Sequence, residues 1–361
     1  MSSIYLDHNA TAPLRPEARD AMMAAMGPPL NASSIHDAGR KARMLVEEAR
    51  RQIAETLGAR HADLTFTSGA TESNNMVLAG FETIITSAVE HSAILAPRPD
   101  GIRVAVDDNG IIRLDVLETE LAKITDTQKA KTLVSVIAAN NETGVIQPLA
   151  EIGALCHAHN IAFHSDMVQM AGKVPIDLTI EGLTFASFSA HKVGGPSGVG
   201  GLWMKAGTSL PAFLMGGGQE QGRRPGTENA LGIIGFGAAM MAAHAQLSCY
   251  QEMGQWRDEA EADLLSLRTD VTILGAGAPR IPNTSCIALT KMTSNTALMA
   301  LDLKGFCLSS GSACSSGKVK ASHVIQAMGR EDLAPHILRV SGGWTTQKEE
   351  FQKLVKALAT L

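Results

Sequence analysis

Ser187-Phe188-Ser189-Ala190-His191-Lys192-Val193-Gly194-Gly195-Pro196 sets one lysine just past an apolar, strand-like run, Thr184 to Phe188, and just ahead of a glycine-rich turn. Burial at such a place lowers an amine's pKa and frees the lone pair that attacks a carbonyl carbon. Most lysines are solvated surface charges. The weight of Lys192 therefore depends on what the rest of the chain brings to the same strand ends.

Outward from this stretch, apolar runs alternate with helical patterns between residues 45 and 245. Asp63–Thr67, Thr132–Ala138, Ile161–Ser165, Thr184–Phe188 and Gly200–Met204 read as strands, and Ala42–Leu57, Ala150–His159 and Asn229–Gln246 as helices. The alternation predicts an α/β fold with a mostly parallel sheet covered on both faces, in which ligands gather at the carboxyl ends of the strands. Past Ser248 the pattern changes. A charged helix, Gln251–Arg268, leads to strands at Val271–Gly275 and Thr284–Leu289, a Gly/Ser-rich loop, and an amphipathic helix over Thr346–Leu361. This predicts a smaller α/β domain, residues 249–361, completed by an N-terminal arm of residues 1–13, beside a large domain of residues 14–248.

Composition narrows the class. Of 361 residues, 45% are hydrophobic and 19% charged, as in globular enzymes, and the net charge of −5 argues against nucleic acid or an anionic membrane as partner. Five cysteines (Cys156, Cys249, Cys286, Cys307, Cys314) show no close CxxC pair, which fits free thiols in a reducing compartment and offers no metal site. The N-terminus lacks a signal-peptide pattern, and Leu231–Ala245 reads as a buried helix, too short and glycine-rich for a membrane span. A cytoplasmic protein is expected.

Several polar residues fall at predicted strand ends. Asp166 closes the run from Ile161, where a carboxylate needs a cationic or hydrogen-bonding partner, although an Asp can equally cap the next helix. Ser68-Gly69-Ala70-Thr71 follows a strand and opens a helix, as phosphate sites and ordinary caps both do. His91 can lie flat on an aromatic ring or serve as a structural histidine. Asn140-Asn141-Glu142-Thr143-Gly144 offers amides or a plain turn. Gly216 to Thr227 combines glycines with Arg223 and Arg224, which suits anions or solvent. Ser309 to Gly317 puts Cys314 amid serine, glycine and alanine, predicting an exposed, mobile thiol unlike Cys156 and Cys286. Arg339 offers a planar fork for a carboxylate or a surface ion pair.

Taken together, these stretches make the chain resemble the cysteine desulfurases of the NifS/IscS type, within the class V aminotransferase group of fold-type I pyridoxal 5′-phosphate enzymes. The resemblance runs from Tyr5-Leu6-Asp7-His8-Asn9-Ala10-Thr11 to Arg339-Val340-Ser341, and its most specific pieces are Ser189-Ala190-His191-Lys192 and Ser309 to Gly317. It implies a seven-stranded, mostly parallel sheet in the large domain. By motif, Lys192 matches the Schiff-base lysine, Asp166 the partner of the pyridine nitrogen, and His91 the catalytic residue stacked on the ring. Asn141 and Gln169 match contacts to the cofactor's phenolic oxygen, and Asn141 also a substrate contact. Ala70, Thr71, Ser189 and His191 match phosphate positions, Thr227 one that reaches the phosphate of a second subunit, and Arg339 the substrate-carboxylate arginine. Cys314 matches the catalytic cysteine that takes sulfur from L-cysteine as a persulfide, leaving L-alanine. The long Ser-Ser-Gly-Ser-Ala-Cys loop resembles the group I branch.

The same resemblance implies a homodimer and a sulfur acceptor, either an iron–sulfur scaffold or another sulfur carrier. Departures from the pattern touch docking more than chemistry. Leu78–Thr86 is compressed, Leu95–Gly101 replaces a full helix after His91, and a C-terminal tail is missing. A related aminotransferase or lyase, and a non-catalytic scaffold, stay open as rivals. The first needs no loop cysteine, and the second needs neither Lys192 nor Asp166.

Overall fold

Short runs rich in Val, Ile, Phe and Thr cannot bury both faces alone, so they pair. The computed structural model describes residues 3–311 and 321–361. Among these, twelve strands form in chain order: β1 (Ile4–Tyr5), β2 (Leu64–Thr67), β3 (Thr83–Ser87), β4 (Ile102–Val104), β5 (Thr132–Ile137), β6 (Ala162–Asp166), β7 (Leu183–Ser189), β8 (Gly200–Met204), β9 (Val271–Leu274), β10 (Thr284–Leu289), β11 (Phe306–Cys307) and β12 (Ile337–Ser341). Seven of them make one sheet, in the order β2-β8-β7-β6-β5-β3-β4. Only β8 runs against the others. Six carboxyl ends therefore share one edge.

The centre of this sheet is buried on both faces. Every residue of β5 and β8 is buried, and β7 lacks only Thr184. Such strands read as continuous apolar runs, which is why they were visible in the sequence. The strands β3 and β4 were not anticipated. β3 begins inside the compressed segment Leu78–Thr86 and ends one residue past it, and β4 has three residues, too few to show a period. After His91 the chain makes a single helical turn, Ser92–Leu95, in line with the shortened segment.

Helix ends follow their caps. The first long helix spans Asp37–Thr56 rather than starting at Ala42, because His36 Nδ1 accepts from the Gly39 N–H at 3.3 Å and Asp37 sits favourably in the first turn. It packs on Ala230–Ala245, a helix apolar all round with ten buried residues. That helix bends by 62° into Leu247–Leu267, four residues earlier than the charge pattern suggested. Among the described residues no single helix is long and apolar enough to cross a membrane.

A second antiparallel sheet, β12-β10-β9, and a parallel pair, β1 with β11, form away from the large sheet. Leu6, Phe306, Leu338, Val340, Phe351 and Leu354 make their own core there. The N-terminal arm thus pairs with the C-terminal part. The Ser341 Oγ accepts from the Asn9 N–H at 3.0 Å, which stitches the arm to β12.

Backbones pack closely where β8 crosses the start of the helix Ala70–Ala79. A Cβ on Gly200 would lie 2.6 Å from both the Gly69 Cα and the Phe188 carbonyl oxygen, atoms that cannot rotate away. Gly200→Ala should lower stability by ~1–3 kcal/mol, the usual cost of overpacking. An unchanged melting temperature in the variant would show that the backbones separate freely.

Candidate active site

The shared edge of the large sheet builds the site. β2 leads into Ser68 to Thr71, β3 toward His91, β5 toward Asn141, β6 ends in Asp166, and β7 ends in Ser189 with a 3₁₀ turn over Ala190–Lys192. From the second sheet β12 adds Arg339, and the arm adds Asn9. These residues surround a cavity of about 650 Å³. Ala70, Thr71, His91, Asn141, Asp166, Gln169, Ser189, His191, Lys192 and Arg339 all line it. Ten sequence-chosen residues, spread over 270 positions, meet in one place.

One end of the cavity suits an anion. Gly69 holds φ at +154°, which swings the chain from strand to helix, and the first-turn N–H groups of Ala70 and Thr71 have no partner within their helix. Ser189 and His191 flank them. The His191 Nδ1 lies 3.2 Å from Thr11 Oγ1, and burial with Lys192 nearby lowers its pKa to about 4. This imidazole is neutral at physiological pH. It offers a hydrogen bond there, not a charge.

Deeper in, Asp166 is 4% exposed. Its Oδ2 accepts from Asn74 Nδ2 at 2.8 Å and its Oδ1 from the Val168 N–H at 3.1 Å. Two donors for a buried carboxylate leave acceptor capacity for a cationic ring nitrogen. Asn74 was missed in the sequence. Its signal was present as one of two consecutive asparagines inside a helix, where that residue is a poor choice unless its side chain has work elsewhere.

The Lys192 Nζ donates to the carbonyl oxygens of Asn9 at 2.6 Å and Ala10 at 2.8 Å. Burial first, then the Arg339 guanidinium, lowers its pKa to about 8, against the opposing pull of Asp166 and Asp7. His91 takes the Ala93 N–H on Nδ1 at 3.1 Å, which leaves the ring proton on Nε2, and burial lowers its pKa as well. Arg339 gives Nη2 to Asp7 Oδ1 at 2.6 Å and Nη1 to the Asn141 carbonyl at 3.1 Å. Its Nε is buried with no partner among the described residues, an orphaned donor that a carboxylate would satisfy.

Two expected residues are not in this group. Thr227 is exposed and lines a smaller cleft of about 110 Å³, which shares Ser68 and Gly198 with the main cavity. Cys314 lies outside the described residues, although Ser309 and Gly311, just before it, reach the cavity wall. The anion role suggested for Arg223 and Arg224 is corrected. Arg224 Nε pairs with Glu72 Oε1 at 2.9 Å, and Arg223 Nη1 donates to the Ala62 carbonyl at 3.0 Å. Both guanidiniums serve to hold the loop. Of the remaining thiols, Cys156 and Cys286 are buried and Cys249 is exposed. Burial pushes the Cys156 pKa up to about 12, the behaviour of an inert packing thiol.

The chain matches the aminotransferase class-V family model over residues 4–354. It is 37% identical to the cysteine desulfurase IscS of Dictyoglomus turgidum, over 98% of this chain and 93% of that one. It is 39% identical to a cysteine desulfurase of Klebsiella pneumoniae, over 99% and 92%. Among solved structures, a NifS-like protein from Rickettsia africae superposes with a TM-score of 0.92 at 36% identity, covering 99% of each chain. A protein solved as SspA in complex with cysteine aligns with a TM-score of 0.79 at 26% identity, over 93% of this chain and 98% of that one.

A lysine whose pKa is lowered loses its proton earlier as pH rises. The Lys192 amine should thus become reactive through pH 8, not near 10.5. Limited reductive methylation with formaldehyde, followed by peptide mapping across pH 7 to 10, should label Lys192 ahead of exposed lysines. In Arg339→Gln the midpoint should rise, since a repelling charge is gone. Labelling of Lys192 only near pH 10 in the wild type would refute the assignment.

Proposed function

The chain belongs to the class-V aminotransferase family, among its cysteine desulfurases, and from that premise we propose that it converts L-cysteine to L-alanine and passes the sulfur to Cys314 as a persulfide. An iron–sulfur scaffold or another sulfur carrier then takes it. The observation that carries the reading is Lys192, a part-buried amine with its pKa lowered to about 8, in one cavity with the buried carboxylate of Asp166. On this reading residues 14–248 hold the cofactor, while residues 1–13 and 249–361 bring the substrate arginine and the Cys314 loop.

The cavity fits pyridoxal phosphate by the chemistry of its donors. Helix-terminal N–H groups with Ser189 and His191 would hold the phosphate, Asp166 the ring nitrogen, Asn141 and Gln169 the phenolic oxygen, and Lys192 the aldehyde carbon. Bound there, the cofactor supplies a carbonyl for the substrate's amine and an electron sink for charge at its α-carbon.

The chain's own groups do the rest. Arg339 turns its fork, with the orphaned Nε, to the substrate carboxylate. The free Lys192 amine would remove the substrate's α-proton and later return one. His91, with its proton on Nε2, would cover the cofactor's ring and donate to the substrate. The Cys314 thiolate attacks the substrate sulfur. The new S–S bond forms as the substrate Cβ–S bond breaks, and its electron pair stays with carbon, which gains a proton and becomes the alanine methyl group. Cys314 keeps the sulfane sulfur, so no outside oxidant or reductant is needed.

The test is direct. With cysteine, the enzyme should release alanine and gain one sulfur on the peptide that contains Cys314. Cys314→Ser should retain bound cofactor yet lose alanine formation by about 10²-fold or more, as for removal of a nucleophile. Replacement of Cys307 should change little. Normal turnover in Cys314→Ser would instead favour a related lyase.

We further propose a homodimer with shared sites. Thr227 is exposed, and the same region carries Phe213, Leu214 and Met215 at 40%, 44% and 89% exposure, an apolar run that a second copy would cover. Each subunit would give Thr227 to its partner's phosphate. Mixing Lys192→Ala with Thr227→Ala subunits should restore activity in mixed dimers, because one site of each then has both groups. No recovery after verified subunit exchange, or full activity in a monomer, would exclude it.

A further inference from the structure

Lys173 takes no part in the chemistry above, yet it is 2% exposed directly behind the cavity. It lies four residues after Gln169 in the turn that follows β6. Its Nζ donates to Gln169 Oε1 at 2.7 Å and to Asn9 Oδ1 at 2.9 Å. Burial, with Lys192 and Arg339 nearby, pushes its pKa well below the ordinary lysine value. Both protonation states leave the amine at least two N–H donors. Both amide oxygens face it either way.

This contact fixes the sense of two amides. The oxygen and nitrogen ends of a glutamine are nearly the same size, so a buried amide can turn over unless a neighbour accepts only one end. Lys173 favours the oxygen end, because its N–H groups are directed at two amide oxygens and turning either amide would leave one of them without its acceptor. With Oε1 committed to Lys173, Gln169 Nε2 gives one hydrogen to the Asn9 carbonyl at 3.1 Å. The second is left for the cavity, which Gln169 lines. Asn9 is held the same way. Asn283 Nδ2 reinforces the contact to its Oδ1 at 3.1 Å, and its own Nδ2 turns to Thr284 Oγ1 at 2.8 Å. The Asn9 carbonyl that steadies Lys192 thus belongs to a residue whose side chain Lys173 locks.

We propose that Lys173 is a positioning residue that locks the Gln169 amide with an N–H toward the cavity, where it donates to an anionic oxygen on the ring of the bound cofactor. This rests on the cofactor reading above. A donor at that oxygen favours its ionised form, so losing the fixed sense raises the pH at which the oxygen ionises.

The experiment titrates the visible absorption of the cofactor-loaded enzyme with pH, without substrate, in the wild type, Lys173→Met, Gln169→Ala and the double variant. Lys173→Met should raise the midpoint by about half to one pH unit, the size expected for one lost hydrogen bond. Gln169→Ala should do the same, and the double variant should shift no further, because both act through one group. A wild-type midpoint in Lys173→Met overturns the inference, as do additive shifts in the double variant. If Lys173→Met does not fold, Lys173→Gln stands in. Its single amide nitrogen serves one oxygen at a time, so a smaller upward shift is expected and none overturns the proposal. A wild type that takes up pyridoxal phosphate without a borohydride-reducible link to Lys192 overturns the site reading itself, and this inference with it.

Discussion

A carboxylate buried at the end of a central strand is the constraint around which this molecule is arranged. Asp166 sits at 4% exposure with β5 and β7 on either side. A carboxylate there costs several kcal/mol unless donors meet it. Two protein donors do so, and both come from nearby turns of secondary structure. Asn74 reaches across from the helix after β2, and the Val168 N–H follows directly from the chain's own turn. The helix that carries Asn74 also begins with the free N–H groups at Ala70 and Thr71. One helix thus serves both ends of the cavity, and its placement on the sheet fixes the distance between them. This is why the close approach of Gly200 to Gly69 matters for function as well as for stability.

The second layer comes from the other end of the chain. Arg339, Asn283 and Thr284 belong to the small sheet and its approach, and Asn9 and Asp7 to the arm. Contacts at the cavity run through them: Arg339 to Asp7, Asn9 to Thr284, and Lys192 to the Asn9 carbonyl and that of the next residue, Ala10. Three basic groups, Lys173, Lys192 and Arg339, crowd a region that also holds the carboxylates of Asp166, Asp7 and Glu72. Burial is the main reason that Lys192 gives up its proton early, and Arg339 adds to it by more than either acid opposes. Ion pairs in such a place contribute little net stability. Their value lies in fixing orientation.

Much of this was legible in the sequence, and what was not has a physical reason. β5, β7 and β8 were visible because strands buried on both faces read as unbroken apolar runs. β4 was not, with three residues at the sheet edge. Lys192, Asp166 and Ser68 to Thr71 announced themselves by position, each just past such a run. Asn74 and Lys173 did not, because their significance is a partner 92 residues away in one case and the side chain of Asn9 in the other. His164 was passed over for the same reason. It bridges the Ser135 and Ser187 hydroxyls at 2.9 Å each, a polar rung across β5, β6 and β7 that no local pattern reveals. Arg223 and Arg224 failed in the opposite direction. Their guanidiniums looked available to an anion because composition shows charge but not that Glu72 answers Arg224 and the Ala62 carbonyl answers Arg223.

The two buried lysines show how one network assigns opposite roles to the same side chain. Both have their pKa lowered by burial, so proton loss alone does not select between them. Access and partners do. Lys173 is enclosed, and its two acceptors are side-chain amide oxygens, that of Asn9 held by Asn283 as well. Moving it would break a chain of contacts that runs through Asn9 to Asn283 and Thr284. Lys192 is only part-buried, stands on a one-turn 3₁₀ helix at the cavity edge, and leans on two main-chain carbonyls of the arm. Those carbonyls keep their positions when it leaves, because the Asn9 N–H is fixed to Ser341 and the Asn9 side chain to Lys173. The amine that can depart without disturbing its neighbours is the one that lines the cavity. The amine that cannot is the one that keeps the neighbours in place.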